Sequence, residues 1–299
     1  MRIFVPGADG QVGHELLAAL APLGELIPAT RAGVLADGGT CLRADLADAD
    51  ALRAALDDAR ADLIVNAAAH TGVDRAEDEP ALADRVNHLA VGEIGAWAAA
   101  HGARVLHYST DYVFDGSATC AYREDDATAP LGVYGRSKLA GEQALRASGA
   151  SHLILRTAWV YAARGHNFLR TMLRLAAERE ELRVVADQVG APTPAHWIAR
   201  ASAQMLAQWQ GEPGLYHLVA GGQASWHDFA SAVIAGAHAR GLIAHAPRVL
   251  PITSAHYPTR AQRPARSVLD CTRLKRAFGL ELADWRTGLD EVLDQLARC

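Results

Sequence analysis

At 299 residues the chain exceeds what one hydrophobic core usually serves, and half of it is hydrophobic, so a large domain with a smaller lobe is expected. A net charge of −5 gives no attraction to nucleic acid or an anionic membrane surface, and no apolar stretch is long enough to span a bilayer. The four cysteines (41, 120, 271 and 299) lack paired metal spacing and the thirteen histidines form no H-E-x-x-H pattern, so a reduced cytoplasm with no catalytic metal is expected.

The apolar run Arg2–Pro6 predicts a strand entered at once, with no room for a secretory leader. It ends in Gly7-Ala-Asp-Gly10-Gln-Val-Gly13, followed by a helix from His14. Glycines at 7, 10 and 13 allow a sharp turn and let a pyrophosphate approach the amides of Gln11 and Val12 at the helix start. The spacing is G-x-x-G-x-x-G, and its place between strand and helix favours a dinucleotide over a merely structural turn. Strands are expected at 25–29 and 40–43, the latter reaching Asp45-Leu46. Asp45 suits either of two roles, a contact to an adenine amino group or the N-cap of a helix near 49–59. Arg31 suits either of two roles, a neighbour of an adenosine 2′-phosphate or a solvated loop arginine, which leaves NADH and NADPH both open.

The strand 62–66 leads into Ala67-Ala-Ala-His-Thr71, whose small side chains leave space for a flat ligand at the C-terminal edge of a parallel sheet. A helix is expected over about 81–100, with the direction of Asn87 open. The strand 103–110 delivers Thr110 to the same edge. Tyr134-Gly-Arg-Ser-Lys138 then opens a helix, which puts the phenol and the amine on one face with Cβ atoms roughly 5–6 Å apart. Lysine occurs only at 138 and 275, and an arginine would not be its chemical equivalent. A neighbouring ammonium is expected to lower the pKa of Tyr134, making it a proton donor to an oxygen that Thr110 also addresses.

A strand over 153–161, a helix from His166, a strand over 182–188, a helix at about 196–209, a strand over 215–219 returning to the main sheet and a capped helix from Ser225 follow. The segment around Arg263 and the closing helix from Trp285 are expected to pack across the first domain. The fold class is therefore α/β: a Rossmann-type doubly wound parallel sheet over 1–160, with a returning segment near 210–240, and a smaller C-terminal α/β substrate-binding lobe over 161–299.

Gly7 to Gly13, Asn66–Pro80, Ser109–Gly116 and Val133–Lys138 together resemble an extended short-chain dehydrogenase/reductase. With Leu155–Tyr161, Asp187–Thr193, Tyr216–Gly222, Ser225–Asp228, Arg263-Pro264 and Ser267, nearly the whole chain is similar to the dTDP-4-dehydrorhamnose reductase family. The resemblance implies NADPH- or NADH-dependent reduction of the 4-keto group of dTDP-6-deoxy-L-lyxo-4-hexulose, a nucleotide-sugar step feeding cell-surface polysaccharide. It implies that Tyr134 is the acid, that Lys138 binds the nicotinamide ribose and that Thr110 binds the ketone oxygen. Implied cofactor contacts are Gly7, Gly10, Gln11, Val12, Gly13, Asp45, Leu46, Ala67, Ala68, Ala69, Thr71, Tyr134 and Lys138. Implied substrate contacts are Thr110, Asp111, Tyr112, Trp159, Asn167 and Arg263.

Some members of the family bind Mg²⁺ at a dimer interface through three glutamates, whereas this chain offers Glu15, His196 and Gln295, a poor set for a hard cation. Monomer and homodimer both stay open. The competing readings are a different 4-ketoreductase, an epimerase or dehydratase of the same superfamily, and a non-catalytic dinucleotide-binding regulator. Related dehydratases resemble Thr-Asp-Glu where this chain has Thr110-Asp111-Tyr112, and the presence of Thr110, Tyr134 and Lys138 argues against the regulator.

Overall fold

The computed structural model describes residues 1–298, so Cys299 lies outside the described residues. Through the first half, strands and helices alternate: β1 (Arg2–Pro6), α1 (Gln11–Leu20), β2 (Glu25–Thr30), β3 (Leu42–Arg43), α2 (Ala49–Ala59) and β4 (Leu63–Asn66). Next come α3 (Val73–Asp78), α4 (Pro80–Asp84), a π-helical turn over Arg85–Leu89, α5 (Ala90–His101), β5 (Arg104–Thr110), α6 (Val133–Ala147) and β6 (Ser151–Thr157). The second half contains β7 (Val160–Tyr161), α7 (Phe168–Glu178), β8 (Glu181–Val185), β9 (Val189–Gly190), β10 (Thr193–Pro194), α8 (Ala195–Gln208) and β11 (Gly214–His217). It closes with β12 (Ala224–Ser225), α9 (Trp226–Ala239), β13 (Arg248–Ile252), α10 (Thr272–Phe278) and α11 (Trp285–Ala297).

Seven parallel strands in the order β11-β6-β5-β4-β1-β2-β3 form the main sheet. Alternation along each strand sorts side chains to two faces. Ile3, Val5, Leu63, Val65, Leu106, Leu153 and Leu155 pack against α1 and α8, whereas Phe4, Ile64, Val105 and Ile154 pack on the side of α2 and α5. Because both faces are covered, the strands read as nearly continuous apolar runs. The second core gathers α7, α9 and α11 around β8 and β13 through Tyr161, Leu169, Phe229, Val233, Trp285 and Val292.

Tertiary contacts alter four expectations. The expected helix over 81–100 is interrupted by the π-turn, which carries Asn87 inward: its amide bonds both backbone groups of His70 (2.9 and 3.0 Å) and Ser137 Oγ (3.1 Å). The expected strand over 153–161 breaks at Trp159, whose φ of +48° is left-handed. Asp48, not Asp45, caps α2, accepting from Asp50 N and Ala51 N at 3.0 and 3.1 Å. The return to the first domain runs from α8 through β11, because α8 lies on α1, whereas α9, placed near 210–240, belongs to the second core. The capped helix from Ser225 has a full capping box with Asp228.

Candidate active site

The C-terminal ends of β1, β4 and β5 bring three segments to one edge, beside the point where strand order reverses and doubly wound sheets place their ligands. At the first, Gly7 (φ +81°) donates its amide to Ala29 O at 2.9 Å, and its Cα lies so near β4 that a Cβ would stand 2.6 Å from Ala68 N. A Cβ on Gly13 would meet Gly7 O at 1.9 Å. Gly10 at the N-cap of α1 offers no side-chain cap, so the amides of Gln11, Val12 and Gly13 face outward without carbonyl partners in the helix. This turn fits a pyrophosphate.

At the second segment Ala67, Ala68 and Ala69 are half-buried and Thr71 is exposed. Asn66 Oδ1 accepts from Ala68 N at 3.2 Å and shapes this edge. Beyond β3, Leu46 is buried, and Asp45 accepts from Ala47 N at 3.0 Å, leaving its second oxygen for a ligand.

The third segment joins α6. Arg156 in β6 clamps Glu142 with two bonds of 2.9 and 2.7 Å, both side chains being buried, and so fixes α6 against the sheet. Lys138 is only 2 % exposed; its Nζ donates to Tyr108 O at 2.6 Å and lies 3.2 Å from Nε2 of the buried His107. Burial pulls its pKa down to about 8 while Glu142 opposes the shift. Tyr134 departs from expectation: burial pushes its pKa up to about 12, with the nearby Thr110 hydroxyl opposing and the charge of Asp111 adding to the rise. The Lys138 amine turns into β5 and not toward the phenol, so it does not acidify Tyr134 here. A neutral phenol is nonetheless the form that can give a proton.

Thr110 Oγ1 donates to Asp111 Oδ1 at 3.1 Å and accepts from Tyr112 N at 3.2 Å. Asp111 is buried, which raises its pKa to about 6 against the hydroxyls of Ser267 and Thr110. Tyr112 meets Tyr134 edge-on with centroids 5.6 Å apart, and burial raises its pKa while the charge of Arg263 opposes the shift. Arg263 pairs with Asp74 of α3 at 2.7 Å, and Arg260 pairs with Asp78, so the irregular segment before α10 is strapped across the cleft. Trp159 stacks on Trp226 at 3.5 Å with nearly parallel rings.

Asn167 is drawn elsewhere. It caps α7 through Arg170 N (3.0 Å), while its Nδ2 faces Gln11 Oε1 (2.8 Å), Ala162 O (2.9 Å) and Arg164 O (3.1 Å). It thus ties the second lobe to the glycine turn, and a sugar contact would have to displace one of these bonds. His196 is held by Glu291 at 2.7 Å, and among the described residues no group of three His, Cys, Asp or Glu side chains is placed to hold a metal. No helix among them is long and apolar enough to cross a membrane. Sequence reading missed His107, Asn66 and Ser267 as parts of the site. For His107 the available signal was a polar residue immediately before Tyr108-Ser-Thr110 in an apolar strand.

The sequence matches the family described as RmlD substrate binding domain over residues 1–298. It is 48 % identical over 297 residues to the dTDP-4-dehydrorhamnose reductase of Burkholderia thailandensis, covering 96 % of each chain. Among solved structures, the dTDP-4-dehydrorhamnose reductase of Clostridium acetobutylicum superposes with a TM-score of 0.89 at 33 % identity, over 99 % of both chains. That of Bacillus anthracis, solved in complex with NADP, does so with a TM-score of 0.88 at 31 % identity, over 98 % of this chain and 99 % of its own.

Proposed function

Since the chain belongs to the RmlD substrate binding domain family together with dTDP-4-dehydrorhamnose reductases, we propose that it reduces the 4-keto group of dTDP-6-deoxy-L-lyxo-4-hexulose to give dTDP-L-rhamnose. The observation that carries this reading is that a neutral Tyr134 phenol and the Thr110 hydroxyl stand at the sheet edge beside a glycine turn that fits a dinucleotide, with the buried Lys138 one helical turn beyond Tyr134.

Bound NADPH or NADH would supply the hydride to the carbonyl carbon. Gly7, Gly10, Gln11, Val12 and Gly13 would hold its pyrophosphate, Asp45, Leu46, Ala67, Ala68, Ala69 and Thr71 would line it, and Lys138 would bind its ribose. Tyr134 gives its proton to the oxygen that gains charge, and Thr110 steadies that oxygen by a hydrogen bond; donors fixed in advance at such an atom are the main source of stabilisation in this class of step. For Thr110 to donate there, its hydroxyl turns from Asp111 toward the ketone. Tyr112, Trp159 and Arg263 bind the sugar nucleotide, with Arg263 set for a phosphate once it leaves Asp74. The second lobe is the substrate-binding part. The enzyme works in the cytoplasm, as a monomer or homodimer.

Oxidation of the reduced nicotinamide, followed by its absorbance, should require the keto-sugar nucleotide, and Tyr134→Phe should lower turnover by about 10²–10⁴-fold with dinucleotide affinity kept. Normal turnover in that variant would refute the assignment of the acid. Conversion of the sugar without net consumption of the cofactor would indicate an epimerase.

A further inference from the structure

His107 lies in the middle of β5, 1 % exposed, between two partners: its Nδ1 is 3.1 Å from Asn66 Nδ2 and its Nε2 is 3.2 Å from Lys138 Nζ. Burial in the middle of the sheet holds its pKa well below the ordinary value, so the ring is neutral and carries one N–H and one lone pair. Asn66 decides which nitrogen has which. Its Oδ1 accepts from Ala68 N at 3.2 Å, which leaves Nδ2 as a donor to His107 Nδ1. The imidazole proton is then on Nε2 and points at Lys138.

An ammonium has no lone pair and would set N–H against N–H, whereas an uncharged amine accepts this bond and still donates to Tyr108 O at 2.6 Å. Turning the Asn66 amide over to suit an ammonium would take the acceptor away from Ala68 N. With Lys138 as an amine every link in the network is satisfied, and buried networks are costly when only partly satisfied. We propose that His107 is a positioning residue for the reaction, its Nε2–H supporting Lys138 in the uncharged state reached when the lysine has released a proton toward the cleft.

This rests on the reading of Tyr134 as the acid. The proton leaves Nζ and ends on the phenolate oxygen that the reduction leaves at Tyr134, while the imidazole keeps its own proton throughout. Other charged groups around the amine act differently: Glu142, one turn further along α6, favours the ammonium but is clamped by Arg156 of β6, and Asp111 at the end of β5 acts on Tyr134.

The test uses the scarcity of lysine. Only Lys138 and the exposed Lys275 are present, so protein labelled with ¹³C at lysine Cε gives two side-chain resonances, assigned with Lys275→Arg. Titrated by NMR without dinucleotide or substrate, the wild-type Lys138 should lose its proton well below Lys275. In His107→Gln, whose amide oxygen can accept from an ammonium, and in His107→Asn, which withdraws from Nζ but can still reach Asn66, the midpoint should rise by about one pH unit, a tenfold change in the proton ratio. Either variant suffices if the other fails to fold. A midpoint that stays or falls, or wild-type Lys138 titrating with Lys275, would overturn the proposal. If instead Tyr134→Phe were fully active, the reduction reading would fail while the lysine titration kept its meaning.

Discussion

Replacing Asp111 by asparagine removes a buried carboxyl whose ionisation the folded protein opposes. The group has an ordinary value of 3.8 and is raised to about 6 in the fold, chiefly by burial. A raised acid binds its proton more tightly when folded, so its favourable contribution is fully present below the unfolded value and is lost as pH rises through the folded one. Between about pH 5 and about pH 7.5 the wild type should lose about 1.4 kcal/mol from this group alone, by linkage from those two values. Any cost from the altered side chain, such as a weaker bond from Thr110, does not depend on pH and cancels in the comparison. Urea denaturation of both proteins at the two pH values measures it: the stability difference should move by about 1.4 kcal/mol in favour of Asp111→Asn on going to the higher pH. A difference that stays constant would show that Asp111 ionises freely, and the account of a buried carboxylate beside Thr110 would be wrong.

Arg156→Met leaves Glu142 charged and alone in the interior and should cost about 3–5 kcal/mol in denaturant unfolding. Gly13→Ala would push a Cβ to 1.9 Å from Gly7 O, and calorimetry should find dinucleotide binding weakened more than about tenfold, the turn having to open before the amides can reach a phosphate. Lys138→Arg should fail to restore turnover, because a planar guanidinium does not fit the site of a compact amine held by Tyr108 O and His107; equal activity would exclude the close packing described here. Arg263→Ala should raise KM for the sugar nucleotide with little change in dinucleotide affinity, and Asp74→Asn, which frees Arg263, should do the opposite.

Where a feature depends on neighbours a few residues apart, the chain itself decided it. The glycine turn between β1 and α1, the alternating strands and helices, the capping box at Ser225 and the four-residue step from Tyr134 to Lys138 are all set by backbone geometry and periodicity, and the family resemblance rests on the same local blocks. Two-faced burial of the parallel strands follows as well, since runs such as Leu63–Val65 can be apolar on both sides only between two helical layers.

Where a side chain had a choice of partner, only the fold could choose. Asp45 suited the cap of a helix near 49–59 by sequence, but α2 begins at Ala49, and the carboxylate next to that start, Asp48, takes its first amides. Asn167 became a cap and a link to Gln11 because α7 starts beside the glycine turn, a contact across 156 positions. The direction of Lys138 shows it most clearly. Helical spacing puts its Cβ near that of Tyr134, but a long flexible stem buried against β5 follows the strongest acceptor, the Tyr108 carbonyl, with His107 next to it. Sequence therefore determined which groups stand at the cleft, and tertiary packing determined which of them touch, because hydrogen bonds in a dry interior go to whatever acceptor the sheet supplies at that depth.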